Sequence, residues 1–236
     1  MINFLKELPS YYNRKIKSKK TSYSLTGIDL IINYIFKKNN GLYIDVGCNH
    51  PVYNNNTYLL YKKGWRGINL DIDKKSIDLF NIFRKGDLNL NYAISSKETE
   101  LEYINYHEKS PINRIKTKLL EEISHKEIKK IKSKTLNSII ENSPFHDQKF
   151  DFVTIDVEGH EIEVIDGFNL IKYKPSIVVI EYLDTSLNKI DIKNFSLKNV
   201  INSEIYKKMI ESDYNMVNWL HSDLIFAHNS FKDKLK

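Results

Sequence analysis

Residues that could do chemistry stand where apolar runs of this sequence end. Gly47 follows the run 42–46, and a glycine there lets the backbone turn sharply and approach a ligand closely. Asp71 ends the next run, where a carboxylate can accept hydrogen bonds from the hydroxyl groups of a ribose. The spacing of these two residues favours binding of a nucleoside-containing ligand over a purely structural role of Asp71 at a helix N-terminus.

Two further groups are acidic. Asp156, Glu158 and His160 follow one apolar run, and Glu181 ends another. A carboxylate that ends such a run must be paired, bind a ligand or lie at the mouth of a cleft, because an unpaired buried charge is costly. If the two runs form neighbouring strands, Asp156 and Glu181 face one cleft. These two carboxylates could share Mg²⁺ or Mn²⁺, but binding of hydroxyl or ammonium groups without a metal is the favoured interpretation.

Alternating strands and helices must position these groups. The apolar patterns predict strands over 42–46, 67–71, 88–94, 150–156 and 176–182, helices over 28–36, 74–84, 134–142 and 160–168, and an antiparallel pair over 215–220 and 223–227. This order indicates an α/β fold with a mostly parallel sheet, an antiparallel edge pair, and ligands beyond the carboxyl ends of the strands. The lysine-rich segment 111–133 gives no clear pattern, and we expect a helix near 116–127.

The positive charge is concentrated in the N-terminal part of the chain. The formal net charge is +6, and residues 1–40 account for all of it, with 8 Lys or Arg against 2 acidic residues. We therefore predict a basic N-terminal arm with a leading helix over 1–40 and a domain that carries the chemistry over 41–236. The neutral body argues against nucleic acid as a partner, whereas the arm could contact an anionic surface.

Cysteine content and hydropathy narrow the cellular setting. Cys48 is the only cysteine, which excludes an intramolecular disulfide and a multi-cysteine zinc site. No apolar run approaches the length of a membrane span, and residues 1–10 lack a signal-peptide core. The expected compartment is the cytoplasm, and the sequence predicts no oligomeric state.

Three segments together resemble the FkbM-like family of S-adenosylmethionine-dependent methyltransferases. They are D-V-G at 45–47, V-I-E at 179–181 and I-D-V-E-G-H-E at 155–161, the last being the most specific. The resemblance covers about residues 42–184. It implies the class I methyltransferase fold, a Rossmann-like three-layer sandwich with strand order 3-2-1-4-5-7-6. It also implies S-adenosylmethionine as the cofactor and O-methylation of a sugar hydroxyl, for example of a nucleotide-linked or surface-polysaccharide sugar.

The resemblance implies roles for individual residues. The residues expected to bind the cofactor are Asp45, Gly47, Cys48, Asn49, Thr57, Asp71, Ile72, Ala93, Asp156 and Val157. Methylation of a sugar hydroxyl calls for a general base or a metal ion. The catalytic candidates are Asp156, His50, His160 and Glu158. The substrate-binding candidates are Tyr53, Asn55, Arg66 and Glu181.

Two alternatives stay open on the sequence alone. Asp71-Ile72-Asp73 is a D-x-D motif, which in glycosyltransferases holds a metal ion and a nucleotide sugar. A non-catalytic module that binds an anionic surface through the basic arm is the second alternative. The position of the D-x-D motif after the second strand of a glycine-loop unit favours ribose binding, and with it the methyltransferase.

Overall fold

The structure, a computed structural model, describes residues 2–116, 127–182 and 196–232. Its helices in these ranges are α1 (Ile2–Ser18), α2 (Ile28–Phe36), α3 (Tyr58–Lys62), α4 (Lys74–Phe83), α5 (Leu136–Glu141), α6 (Glu161–Asp166), α7 (Leu170–Tyr173), α8 (Leu197–Asn202), α9 (Glu204–Glu211) and α10 (Asn229–Lys232). Its strands are β1 (Leu42–Val46), β2 (Arg66–Asp71), β3 (Leu88–Asn91), β4 (Ala93–Ile94), β5 (Glu100–Asn105), β6 (Arg114–Ile115), β7 (Glu127–Lys134), β8 (Phe152–Ile155), β9 (Ile177–Glu181), β10 (Tyr214–Leu220) and β11 (Asp223–His228).

Seven of these strands form one sheet in the order β3-β2-β1-β8-β9-β11-β10. The pairs β1–β2, β1–β8, β8–β9 and β2–β3 are parallel, whereas β11 is antiparallel to both β9 and β10. When only the strands of this sheet are counted along the chain, their order is 3-2-1-4-5-7-6. The predicted class I methyltransferase fold, with its antiparallel edge pair, is therefore confirmed.

The centre of the sheet is buried on both faces. Every residue of β8 and β9 is buried, as expected for parallel strands covered by helices. One apolar cluster joins α5, α6 and α9 to one face around Ile44 and Val153, and a second joins α2 to the other face around Tyr43 and Trp65. Because these faces are apolar, the chemistry-bearing side chains concentrate at the carboxyl ends of the strands.

A second, four-stranded sheet has the order β4-β7-β5-β6. It occupies much of the lysine-rich segment, where a helix was expected near 116–127. On either side of residues 117–126, which lie outside the described residues, the structure has the strands β6 and β7 instead. In β7, Ile131 and Ser133 are buried on either side of exposed Lys132, which is the alternation typical of a strand. The helix expectation was therefore wrong at these ends.

The N-terminal part joins the body through α2. Ile28 and Ile32 are fully buried against the main sheet. Asp29, also buried, accepts hydrogen bonds from Ser22 Oγ at 2.6 Å and from Tyr23 N at 2.7 Å. Helix α2, within the predicted arm, thus packs against the body. The division into an arm and a domain at residue 40 stays a prediction. Among the described helices, none is both long and apolar enough to cross a bilayer.

Candidate active site

The turn after β1 brings the ends of three strands together. Gly47 has a φ of 83°, in the left-handed region, and its amide donates a 2.8 Å hydrogen bond to Leu70 O near the end of β2. A Cβ atom on Gly47 would lie 1.6 Å from the carbonyl oxygen of Asp156, the residue after β8. Only glycine permits this approach. The predicted ligand loop therefore lies at the junction of β1, β2 and β8.

A buried hydrogen-bond network supports this loop. Asp45 accepts hydrogen bonds from Asn55 Nδ2 at 3.0 Å and from Thr57 Oγ1 at 2.8 Å. Arg84, which is fully buried, donates to Asn55 Oδ1 at 2.6 Å and to Thr57 Oγ1 at 3.1 Å. Burial raises the pKa of Asp45 to about 6, while the hydrogen bonds and the charge of Arg84 oppose that rise. We call Asp45, Asn55, Thr57 and Arg84 the loop network.

Three predicted contact residues belong to the loop network and line neither of the pockets described below. Asp45 and Thr57 are predicted cofactor residues and Asn55 is a predicted substrate residue, but each is at most 4% exposed. The side chain of Asn55 also donates to Cys48 O in the glycine loop at 3.3 Å. The geometry fits a positioning role for these residues. Sequence reasoning missed Arg84 altogether.

Two other predicted residues also lie away from the pockets. Cys48 is 2% exposed and packs against Ile77 and Phe80, and burial raises the pKa of its thiol well above the ordinary value. The guanidinium group of Arg66 lies over the ring of Tyr61, 4.7 Å from the ring centre. Neither side chain is placed for direct contact with a ligand in the clefts at the strand ends.

A pocket at the carboxyl ends of β1, β2 and β8 gathers most of the predicted cofactor residues. We call it the cofactor pocket. The predicted residues that line it are Gly47, Asn49, Asp71, Ile72, Ala93, Asp156, Val157, Glu158 and His160. The connection between β5 and β6 adds Ser110, Pro111 and Asn113 to its wall, which the sequence analysis did not predict.

Two backbone groups orient Asp71 in this pocket. Its carboxylate accepts hydrogen bonds from Asn49 N at 2.8 Å and from Asp73 N at 2.7 Å. Burial raises its pKa to about 7, although both hydrogen bonds favour the charged form. A carboxylate has about four acceptor sites, so Asp71 can still accept hydrogen bonds from ribose hydroxyls. Its role in ribose binding stays a prediction.

The turn after β8 places an acidic side chain between two strand ends. Glu158 and Gly159 have φ values of 58° and 99°, both in the left-handed region. In the first turn of α6, Glu161 Oε1 accepts hydrogen bonds from Val157 N at 3.1 Å and from Gly159 N at 3.0 Å. Glu161 therefore fixes this turn and the position of Glu158, a role that the sequence analysis did not assign.

Asp156, Glu158 and Glu181 lie together at the ends of β8 and β9, and we call them the acidic cluster. One carboxylate oxygen of each lies within 4.8 Å of the other two. Glu181 is 9% exposed, and its Oε2 atom has no hydrogen-bond partner among the described residues. Burial and the charge of Asp156 raise the pKa of Glu158 to about 7. Burial and the neighbouring carboxylates raise the pKa of Glu181 well above its ordinary value.

A second, wider cleft adjoins the cofactor pocket, and we call it the outer cleft. Asp156 and Glu158 line both cavities. The other residues of its wall include His50, Tyr53, Asn54, Asn56, Lys109, Glu181, Ser222 and Asp223. The structure thus brings the predicted substrate residues Tyr53 and Glu181 to one cavity, beside the acidic cluster.

A comparison with protein families identifies the family of this chain. A family model described as the methyltransferase FkbM domain matches residues 45–222. The chain belongs to the FkbM methyltransferase family. No curated protein matches this FkbM methyltransferase. The matched range contains the loop network, the acidic cluster and nearly all of the residues that line the two cavities.

Solved structures similar to this FkbM methyltransferase include a TehB-like SAM-dependent methyltransferase from Corynebacterium glutamicum. The identity is 9%, the alignment covers 95% of this chain and 97% of that chain, and the TM-score is 0.43. Precorrin-6y C5,15-methyltransferase from Geobacter metallireducens matches at 8% identity over 90% of this chain and 94% of that chain, with a TM-score of 0.42. Monomeric WbdD matches at 11% identity over 90% of this chain and 42% of that chain, with a TM-score of 0.40.

In the D-x-D motif of the FkbM methyltransferase, Asp73 accepts hydrogen bonds from the protein itself. Asp73 caps α4, with Oδ1 accepting hydrogen bonds from Lys75 N and Ser76 N. Its Oδ2 accepts from Lys109 N at 2.6 Å and from Asn113 Nδ2 at 3.3 Å, which ties the β5–β6 connection to the start of α4. Both oxygens are therefore engaged. This geometry and the family membership oppose the glycosyltransferase alternative, and the family membership also opposes a non-catalytic module.

Both histidines that were predicted as bases have a ring nitrogen engaged by protein groups. His50 Nδ1 accepts hydrogen bonds from Val52 N at 3.2 Å and Tyr53 N at 2.9 Å, so the neutral ring carries its proton on Nε2. His160 is 7% exposed, with Nε2 at 3.2 Å from Ser95 Oγ, and burial lowers its pKa. The carboxylates at the strand ends are therefore better placed than either ring to accept a proton.

Proposed function

We propose that this FkbM methyltransferase transfers a methyl group from S-adenosylmethionine to a hydroxyl oxygen of a sugar, for example a nucleotide-linked or surface-polysaccharide sugar. The observation that carries the proposal is the position of the acidic cluster, whose members Asp156 and Glu158 line both cavities. A hydroxyl group that enters the outer cleft toward the cofactor pocket meets carboxylate oxygens that can accept its proton.

The lining of the cofactor pocket fits S-adenosylmethionine. Asp71 has acceptor capacity for ribose hydroxyls, and Ile72 and Ala93 offer apolar surface to an adenine ring. Gly47 and Asn49 of the glycine loop line the same pocket, which suits the methionine part. When bound, this cofactor supplies an activated methyl group, so the protein has to orient an acceptor and accept a proton from it.

The outer cleft has the groups that a sugar acceptor needs. Asn54, Asn56 and Ser222 bring amide and hydroxyl groups that can hydrogen-bond to sugar hydroxyls. Tyr53 is 69% exposed and offers an aromatic surface. Lys109 contributes a positive charge to the same wall, which suits the phosphates of a nucleotide-linked sugar.

The acidic cluster activates the acceptor hydroxyl by accepting its proton. A general base works best when its pKa lies near the working pH, and burial raises the pKa of Glu158 to about 7. Asp156 stands beside it, and both residues line the cofactor pocket. The left-handed turn fixed by Glu161 holds Glu158 in position, so little reorganisation is needed when an acceptor binds.

The test is methyl transfer from isotopically labelled S-adenosylmethionine to a panel of nucleotide sugars, oligosaccharides and amino sugars. The products are analysed by mass spectrometry with fragmentation, which distinguishes a methyl ether from a methylated amine. We expect labelled methyl ethers with the wild type and with Asp78→Asn, a variant of an exposed carboxylate on α4. We expect none with Asp156→Asn. Label on nitrogen only, or on no sugar at all, would contradict the proposal.

A further inference from the structure

We propose that Asp156, Glu158 and Glu181 bind one divalent cation, Mg²⁺ or Mn²⁺, in the wall between the outer cleft and the cofactor pocket. The role of this ion in methyl transfer rests on the proposed function, whereas its binding does not. The ligands come from two adjacent strand ends and from the turn that Glu161 fixes, so the site stands on ordered parts of the fold.

The spacing of the three carboxylates suits a single ion. One oxygen from each lies within 4.8 Å of the others. With metal–oxygen distances of about 2.0 to 2.6 Å for Mg²⁺ through Ca²⁺, two ligands on opposite sides of an ion are about 4 to 5 Å apart. The three oxygens can therefore reach one ion through small side-chain adjustments. Three carboxylate ligands are the hard oxygen donors that Mg²⁺ and Mn²⁺ prefer.

Glu181 gives an independent indication of a ligand. Its side chain lies in the wall of the outer cleft, only 9% exposed, and its Oε2 atom is buried without a hydrogen-bond partner among the described residues. An unsatisfied buried carboxylate oxygen is costly, and such groups are normally paired or coordinate a metal. In the loop network, by contrast, Asp45 accepts two side-chain hydrogen bonds.

The described residues supply little positive charge to the acidic cluster. Among the described residues, no Lys or Arg nitrogen lies within 4.0 Å of any of the three carboxylates. Arg114 acts on Glu158 only through its charge, and Lys109 stands in the wall of the outer cleft. Within the described part of the chain, the repulsion is therefore left to be offset by a cation or by a proton shared within the cluster. The experiment below distinguishes these two cases.

A cation at this site activates the acceptor. Mg²⁺ usually keeps several coordination positions for water or substrate, and the open side of the cluster faces the outer cleft. An acceptor hydroxyl bound there loses its proton more readily, since the ion stabilises the resulting negative oxygen. Each carboxylate offers one oxygen to the ion, so the second oxygen of Glu158 remains available to take that proton.

Binding is measured with Mn²⁺ alone, on the full chain and without cofactor or acceptor. The electron paramagnetic resonance signal of free Mn²⁺ is followed at about pH 8, where protons compete least for carboxylates. We expect saturable binding of one Mn²⁺ per chain, competed by Mg²⁺. Glu181→Gln and Asp156→Asn should weaken it by about tenfold or more, while the exposed Asp78→Asn should leave it unchanged. Circular dichroism verifies that each variant is folded.

Each outcome bears on the proposal. Saturable binding that depends on Glu181 supports it, whereas absence of binding, or equal binding by folded Glu181→Gln, overturns it in favour of a shared proton. Methylation of a sugar that persists unchanged in EDTA refutes the role of the ion and leaves the proposed function standing. Mn²⁺ binding without methylation of any sugar refutes the proposed function and leaves the cation site standing.

Discussion

Asp45, under the glycine loop, and the acids of the outer cleft differ in what surrounds their carboxylate oxygens. In the loop network, Asp45 accepts hydrogen bonds from two side chains, and the buried Arg84 lies beside it. In the acidic cluster, Glu181 has an oxygen without a described partner, and three carboxylates crowd within 4.8 Å. Glu181 is nearly as buried as Asp45, whereas Asp156 is exposed and Glu158 half-buried, so burial alone does not explain why the Glu181 oxygen lacks a partner.

This contrast separates positioning from chemistry. A satisfied buried network rigidifies the structure, whereas unsatisfied polar groups lower stability and persist where a function needs them. Substitutions in the loop network should therefore reduce the stability of the protein. Substitutions in the acidic cluster should reduce activity without reducing stability. The following predictions test that contrast, beginning with the largest effect.

Replacement of Arg84 should have the largest effect on folding. Arg84→Met removes donors to Pro51 O, Tyr43 Oη and the loop network, and leaves the buried Asp87, whose Oδ2 lies 3.8 Å from Arg84 Nη1, without its ion-pair partner. Losing one partner of such a buried pair costs about 3–5 kcal/mol of the free energy of unfolding. Urea denaturation measures this loss. The matched control is Arg66→Met, for which a loss of about 1 kcal/mol or less is expected. Equal losses of the free energy of unfolding in both variants would show that the loop network does not stabilise the fold more than a surface contact does.

Glu181→Gln should act on turnover instead. The variant replaces a carboxylate that has one oxygen without a described hydrogen-bond partner with a neutral amide of similar size, so the free energy of unfolding should stay unchanged or rise. The turnover number should fall by about 100-fold or more, as is typical when the activating group is lost. Steady-state kinetics and urea denaturation of the same preparation give both values. A variant that is less stable by several kcal/mol yet fully active would place Glu181 with the loop network.

Asp71 stands between the two regions, since backbone amides engage it and it also lines the cofactor pocket. Asp71→Asn should weaken binding of S-adenosylhomocysteine by about tenfold, the loss of a hydrogen bond to a charged group. Isothermal titration calorimetry measures this affinity. Turnover with saturating cofactor should change much less than in Glu181→Gln. An unchanged affinity would refute the ribose-binding role of Asp71.

Much of this arrangement follows from the sequence because it is local. Gly47, Asp71, Asp156 and Glu181 each end an apolar run, and such runs form the parallel strands whose ends must meet. The fold and the gathering of the acidic residues could therefore be predicted. The exact strand order was implied by the family resemblance and not by periodicity.

The remaining features depend on contacts between distant residues. Arg84 ends an amphipathic helix and looks like a solvent-exposed cap, yet its side-chain hydrogen bonds go to residues 27 to 41 positions away along the chain. Nothing in the Asn54-Asn55-Asn56 run shows that Asn55 is the buried member. In β7, lysines on the exposed face obscure the strand periodicity. Sequence patterns near each residue carry no signal for such pairings.

The pH dependence of stability should show the smallest effect. Burial raises the pKa of Asp223 in the outer cleft to about 7, with a smaller contribution from the charge of Asp156. The folded state therefore binds more protons than the unfolded state between about pH 4 and pH 7, so the free energy of unfolding falls as the pH rises through this range.

Asp223→Asn should flatten that pH dependence. After allowance for the partial exposure of Asp223, we expect the change between about pH 5 and pH 7 to shrink by about 1 kcal/mol or less. Urea denaturation across this range provides the measurement, with Asp78→Asn as the exposed control. Parallel pH curves for wild type and Asp223→Asn would show that this carboxyl titrates normally.

Because Cys48 is buried, its reaction with a thiol reagent can measure how often the glycine loop opens. Its thiol is 2% exposed and has a raised pKa, so a thiol reagent can modify it only when the loop opens. Because the chain has no other cysteine, the rate of alkylation reports that single opening event. The factor by which a bound ligand slows alkylation then gives the free energy with which that ligand holds the loop closed.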